Sequence, residues 1–372
     1  SSAPSLRVFS PKPDVFSPQP CVFSPTSSAP SLRVFNPNFM TPRLQTFLDH
    51  FFSDKSPHID RLQGDASTRA YFRVLLPEQT YIAAVYPDSF SLAEFPYLVV
   101  TQLFEQFAVP VPRIHSISEV EGIILQEDLG DLRFQDVLSD LTPARFNELY
   151  REAITLLVEI QKTTDQAVTQ NLLPARLAFD EEKLFWELNF FFEHYFESYR
   201  QQRPKAEYET LILGELFALA RRLAGVPRVL CHRDYHCRNL MYTANRLVVI
   251  DHQDARMGPA TYDLASLLGD PYARLDQHLQ DELKTFFWEQ HTAAFGNRIY
   301  PSRDVFEAEY RLMMIQRMLK AVGTFSFQAG VRKNSTYIEY ITPAFQASLK
   351  ALEQVADLPF TQQAVEKALL QE

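Results

Sequence analysis

Apolar residues recur along this chain in two rhythms, and the change from one to the other divides it. Leu44, Phe47, Leu48 and Phe51 fall on one side of a short amphipathic helix predicted over 42–52. Runs of strand length follow at 70–76, 81–86 and 121–126. Between the second and third, Leu92, Phe95, Leu98, Val99, Leu103 and Phe107 recur at helical spacing over 89–108. Pro110 and Pro112 end that helix, because a proline pushes the residue before it out of the helical region.

After Gly130 the rhythm is mostly helical. Thr142 and Pro143 read as N-cap and first helical residue, with Phe146, Leu149, Tyr150, Ala153, Ile154, Leu157 and Ile160 on the face that follows. Helices are further expected over 180–199, 207–223, 275–295, 302–327, 335–355 and 359–371, and one opens at 258–263 and runs through Leu264, Leu267 and Leu268. Short strands return at 229–230, 240–242 and 247–250. A β-rich stretch of about 90 residues ahead of an α-rich one of about 240 predicts an α+β chain. The expected division is 40–130 and 131–372, with the site in the crevice between the two.

Residues 1–39 stand apart. SSAPSLRVF occurs at 1–9 and again at 27–35, and Val-Phe-Ser-Pro starts at Val8, Val15 and Val22. Proline at this density blocks helices and sheet ladders, so the segment is expected to be a disordered or spuriously translated, dispensable leader, with Met40 as the start. The net charge of −10 in 372 residues offers no footprint for nucleic acid, and no apolar run is long enough for a transmembrane helix. Cys21, Cys231 and Cys237 make no disulfide framework, and a reducing cytoplasm is the expected compartment.

The chemistry concentrates at 230–251, LCHRDYHCRNLMYTANRLVVID, an apolar strand, a charged loop and two short strands ending on a carboxylate. His232-Arg233-Asp234, four residues and then Asn239 satisfy the H-R-D-x-x-x-x-N catalytic loop of kinase-like phosphotransferases. In that pattern an aspartate accepts the proton of the substrate hydroxyl, an asparagine five residues on holds Mg2+, and a second aspartate after an apolar strand grips the same metal. Asp251 stands where the last should be. The competing reading, a zinc cluster of Cys231, His232, His236 and Cys237, leaves the Asp/Asn spacing without a cause.

With 62–73 (LQGDASTRAYFR), 127–131, 231–241 and 249–268, this loop resembles the aminoglycoside-phosphotransferase-like kinases, and within them the bacterial anomeric N-acetylmuramate/N-acetylglucosamine kinases. The resemblance implies a two-lobed protein-kinase-like fold and an ATP- and Mg2+-dependent kinase acting on the C1 hydroxyl of an amino sugar. By it, Asp234 is the catalytic base, Asn239 and Asp251 are metal ligands, and His232, Arg233 and Asp263 support the loop. Gly64, Asp65, Ala66 and Ser67, with Arg69, would cover the phosphates, and Glu127, Asp128 and Leu129 would form the adenine hinge. The aromatic stretch 180–199 is mostly core, with Glu187, Asn189, Glu193 and His194 polar enough to face the substrate. The implied partner is a small-molecule sugar substrate, and protein partners stay open.

Two departures qualify the likeness. No glycine follows Asp251, and 81–100 contains no lysine or arginine, so the strand lysine that clamps the phosphates is absent and Glu94 lacks its partner. Arg69 and Arg73 are candidates to replace that charge. A kinase of another small alcohol, such as an aminoglycoside or a choline-like amine, stays open, and such an amine would favour an acidic cleft. A nucleotide-binding pseudokinase also stays open, whereas a protein kinase is disfavoured because no activation segment separates Asp251 from Asp263.

Overall fold

The computed structural model describes residues 37–53, 56–62 and 69–371. The leader expectation on 1–36 and the phosphate-loop expectations on Gly64, Asp65, Ala66 and Ser67 lie outside the described residues, whereas 37–39, expected in the leader, belong to the first helix. Helix α1 (Pro37–Phe51) leads into an antiparallel five-stranded sheet made of β1 (His58–Leu62), β2 (Ala70–Leu75), β3 (Thr80–Val85), β4 (Ile114–Ser118) and β5 (Ile123–Glu127). The strand order is β1-β2-β3-β5-β4.

The pleat explains how two helices cover this sheet. Successive side chains point to opposite faces, so Ala83, Val85, Ile123 and Leu125 pack on Leu44, Phe47 and Leu48 of α1, while Ala84 and Ile124 pack on the other side against Tyr97 and Leu98. Tyr97 and Leu98 belong to α2 (Pro96–Gln106), which is shorter than the 89–108 expected. Pro96 fixes its first turn, and Leu92 to Glu94 form an exposed bend before it. β1 and β4 were not expected at all. Both are edge strands of mixed polarity, HIDRL and IHSIS, without the apolar alternation that marks an inner strand.

Beyond Glu127 the chain is helical. Thr142 caps α3 (Pro143–Lys162) by accepting from the N–H of Arg145, and Asp180 caps α4 (Glu181–Phe192) through the N–H of Lys183. α4 runs on into a π-helical segment, Glu193–Tyr199, and α5 (Ala206–Ala224) packs beside it. Then come two small ribbons: β6 (Arg228–Cys231) pairs with β9 (Arg256–Pro259), and β7 (Leu240–Thr243) pairs with β8 (Arg246–Val249). The stretch 258–260, expected to open a helix, therefore begins in a strand, and α6 (Thr261–Leu268) starts after it.

The rest is α7 (Gln277–Phe295), α8 (Arg303–Gly330), α9 (Ile341–Leu352) and α10 (Pro359–Leu369). α8 is the spine of this half, buried on most of its circumference. A Cβ on its Gly323 would lie 2.6 Å from the Cα of Phe191, so the missing side chain is what lets α8 and α4 touch backbone to backbone. No helix among the described residues is long and apolar enough to cross a membrane.

The two halves meet where α2 packs on the turn after β8. His252 in that turn is buried; its Nε2 lies 2.7 Å from Thr101 Oγ1, and its ring stacks on Tyr97 at 4.7 Å. Burial, with the neighbouring His232 and Arg69, pushes its pKa down to about 3. A histidine kept neutral in the folded protein binds fewer protons than in the unfolded chain, so its contribution to stability is complete above about 6.5 and is lost as pH falls toward 3. Urea unfolding at about pH 7.5 and about pH 5.5 should show wild type losing about 1.4 kcal/mol more than His252→Gln between those two conditions. Equal losses would mean that His252 is not held neutral.

Candidate active site

β6 delivers the loop that carries Asp234. As the chain leaves it, the buried carboxylate of Asp263, in the first turn of α6, accepts the N–H groups of His232 (2.6 Å) and Arg233 (3.0 Å). Those bonds hold Arg233 at a φ of 91°, a conformation that costs a non-glycine residue energy and persists only where its surroundings impose it. His232 Nε2 lies 2.9 Å from the carbonyl of Ile250, tying the loop to the strand before Asp251. At the far end, Asp270 accepts from the N–H groups of Cys237 (3.0 Å) and Tyr272 (3.0 Å). Two carboxylates on backbone amides thus fix the loop at both ends.

Asp234 sits between them, partly buried at the floor of a cleft of about 430 Å³. Lys320 Nζ donates to its Oδ1 at 2.8 Å, and the guanidinium groups of Arg233 and Arg317 lie 3.7 and 3.9 Å away. Burial alone would push the Asp234 carboxyl up, but Lys320, Arg233 and Arg317 together hold it well below the usual carboxylate range. Burial and the neighbouring Arg317 push the Lys320 amine down.

Asn239 and Asp251 line the same cleft. Asn239 donates from Nδ2 to the Asp234 carbonyl at 2.8 Å, which leaves its amide oxygen as the atom for a ligand. Asp251 adopts the left-handed conformation (φ 62°, ψ 34°) and accepts from Arg69 (3.1 Å) and Gln253 (2.8 Å). Two oxygen donors of this kind suit a hard divalent cation. Of the two arginines considered for the missing lysine, Arg69 reaches Asp251, whereas Arg73 is engaged by Asp128 (2.8 Å) and Asp131 (2.8 Å) at the chain's crossing between the lobes. Glu94 is exposed in the bend before α2.

Glu127, Asp128 and Leu129 form that crossing. Glu127 donates its N–H to the Arg113 carbonyl, Asp128 accepts from the N–H of Gly130, and Leu129 packs with Met241, Val248 and Ile250 in a small apolar cluster of its own. Cys231 and Cys237 are buried, and burial pushes both thiols up.

The expected substrate residues are placed differently. Asn189 and Glu193 bond each other at 2.8 Å, and His194 lies against Ser198, Phe190 and Phe327; none of the three lines the cleft. The same helix instead presents Trp186, Glu187 and Phe190 to it. Glu187 is buried and accepts from Tyr262 (3.2 Å) and Gln316 (2.8 Å). Arg317 in turn donates to Tyr262 (2.6 Å) and Ser266 (2.9 Å). Arg317 and Lys320 were missed by sequence reasoning because they lie more than 80 residues from Asp234. Their signal was two cations three residues apart on a helix otherwise apolar there, QRMLKAV.

Comparison with known proteins agrees with this geometry. Residues 58–302, more than half of the chain, match the phosphotransferase enzyme family. The chain is 31% identical over 287 residues to the N-acetylmuramate/N-acetylglucosamine kinase of Neisseria meningitidis serogroup B, covering 76% of this chain and 82% of that one. It is 33% identical over 265 residues to the kinase of the same name from Pseudomonas aeruginosa, covering 71% and 74%. The ADP-bound aminoglycoside phosphotransferase APH(2'')-Ib superposes with a TM-score of 0.53 at 14% identity, over 83% of this chain and 98% of that one. A β-rich lobe ahead of a helical one is thus the kinase-like fold expected, and the chain belongs to the phosphotransferase enzyme family.

Proposed function

We propose that this protein transfers the γ-phosphate of ATP to the C1 hydroxyl of an amino sugar, N-acetylmuramate or N-acetylglucosamine. The names of the relatives above suggest the acceptor, and one feature of the cleft supports it: each carboxylate lining it is committed. Asp234 is paired with Lys320, Asp251 with Arg69, and Glu187 with Tyr262 and Gln316. An ammonium-bearing acceptor such as choline or an aminoglycoside needs carboxylates of its own, so this charge pattern favours a sugar without a free amine.

Asp234 orients the acceptor hydroxyl and receives its proton. A carboxylate held this far below its ordinary range is a weak base, and a weak base suits an acidic hydroxyl. The hemiacetal hydroxyl at C1 is more acidic than an ordinary alcohol. Lys320, Arg317 and Arg69 surround the place where negative charge accumulates during transfer. Bound at Asn239 and Asp251, Mg2+ would neutralise charge on the transferring phosphate.

Leu129, Met241, Val248 and Ile250 offer an apolar bed for adenine beside the backbone of 127–129, and 64–67 would cover the phosphates. Trp186, half exposed at the cleft, offers a flat face for the sugar ring. His232 and Asp263 keep the loop in register, and Arg233, held by the same bonds, also adds its charge beside Asp234.

Asp234→Asn should keep nucleotide binding and lose most turnover, on the order of a hundredfold or more, because only orientation and proton acceptance are removed. Asp251→Asn should instead weaken MgATP binding, since a charged oxygen ligand is lost. Titration of both variants with a fluorescent ATP analogue separates the roles, and equal turnover losses with unchanged Mg2+ dependence in both would refute them.

The acceptor position has its own readout, because phosphorylation at C1 removes the reducing end whereas phosphorylation elsewhere keeps it. With MgATP and either sugar, one reducing end should disappear for each ADP formed. ADP formation with reducing ends intact would move the chemistry to another hydroxyl, and no ADP with either sugar would end the amino-sugar reading.

A further inference from the structure

The cleft wall carries four cationic side chains, and three of them have carboxylate partners. Arg133 grips Asp136 with two bonds (2.9 and 3.0 Å), Arg233 holds Asp254 at 2.6 Å, and Lys320 holds Asp234 at 2.8 Å. Arg238 differs. Its guanidinium lies over the ring of Tyr272, 4.6 Å from the centroid, and among the described residues it forms no ion pair.

That guanidinium is firmly placed. It sits on the short helical turn Cys237–Asn239, four residues after Asp234, in the loop that Asp263 and Asp270 fix. Tyr272, the ring beneath it, packs edge-on against Phe325 and Tyr340 and is bonded to Asp270 through its own N–H. In the same loop His236 presents Nδ1 without a hydrogen-bond partner among the described residues. A fork of donors beside aromatic rings, short of a carboxylate, is the arrangement that captures a planar anion.

We infer that Arg238 determines specificity by receiving a carboxylate of the acceptor, so that the enzyme prefers the acidic amino sugar to its uncharged parent. This rests on the amino-sugar reading above and goes beyond it by fixing the acceptor's charge. N-acetylmuramate differs from N-acetylglucosamine by a lactyl ether on C3, two ring carbons from the reacting C1. Its carboxylate enters a cleft that already holds Asp234, Asp251 and a triphosphate, so it needs a cation not committed to another acid. Arg238 supplies that cation from the same loop that holds the base.

The test measures kcat and KM of wild type, Arg238→Met and Arg238→Lys with MgATP on N-acetylmuramate, its methyl ester and N-acetylglucosamine, with melting curves to confirm folding. Wild type should favour the acid. Arg238→Met should lower kcat/KM for the acid on the order of tenfold to a hundredfold, mainly through KM, and change the ester and N-acetylglucosamine little. Arg238→Lys, which keeps the charge and loses the fork, should show a smaller loss, again confined to the acid.

Equal losses on all three sugars, or a raised KM for ATP, would overturn the inference, as would equal wild-type kcat/KM on acid and ester. Turnover of none of the three sugars by wild type would bring down the amino-sugar reading itself, and this inference with it.

Discussion

Everything around the site depends on keeping one carboxylate ionised where burial opposes it. Asp234 is partly buried, and taking a charge out of water is costly unless it is matched closely by opposite charge. The match comes from two separate elements. Arg233 arrives with the loop after β6, whereas Lys320 and Arg317 arrive on α8. The loop and α8 must therefore stay in register to within the length of a hydrogen bond.

Much of the helical lobe can be understood as the means of holding that register. Gly323, about one turn beyond Lys320, lets α8 lie directly on α4. Glu187 on α4 then accepts from Gln316 on α8 and from Tyr262 on α6, and Arg317 bonds the same Tyr262 hydroxyl. Asp263, the neighbour of Tyr262, closes the circuit by holding the backbone of His232 and Arg233. The network joins three helices to the loop, and its polar atoms are buried where an unmade bond is expensive. A rigid site of this kind needs little reorganisation when charge develops on a transferring phosphate.

The parts legible in the sequence were those whose cause is local. The spacing of 232–239 and Asp251 brings Asp234, Asn239 and Asp251 to one cleft, and the cap at Thr142 follows from orphan backbone donors. What was not legible depends on tertiary placement. The helix predicted from 89 starts only at Pro96, because proline's preference for a first turn outweighed the apolar spacing before it. The edge strands β1 and β4 carry no burial pattern to read. Asn189, Glu193 and His194 have the polarity expected of a cleft wall, but the face of α4 that meets the cleft is set by its packing on α8, and that face carries Trp186, Glu187 and Phe190. Lys320 and Arg317 come from a segment distant in sequence, so no local pattern joins them to Asp234.

If Lys320 is what keeps Asp234 ionised, its removal must appear in the pH dependence of the reaction. The direct measurement is kcat at saturating MgATP and sugar, for wild type and Lys320→Met, between about pH 5 and about pH 8. Nucleotide ionisation is common to both enzymes, so the difference between the profiles reports on Asp234. The account predicts that the acidic limb of the variant moves upward relative to wild type, because the carboxyl has lost its nearest cation. Profiles of the same shape, offset only in height, would contradict it.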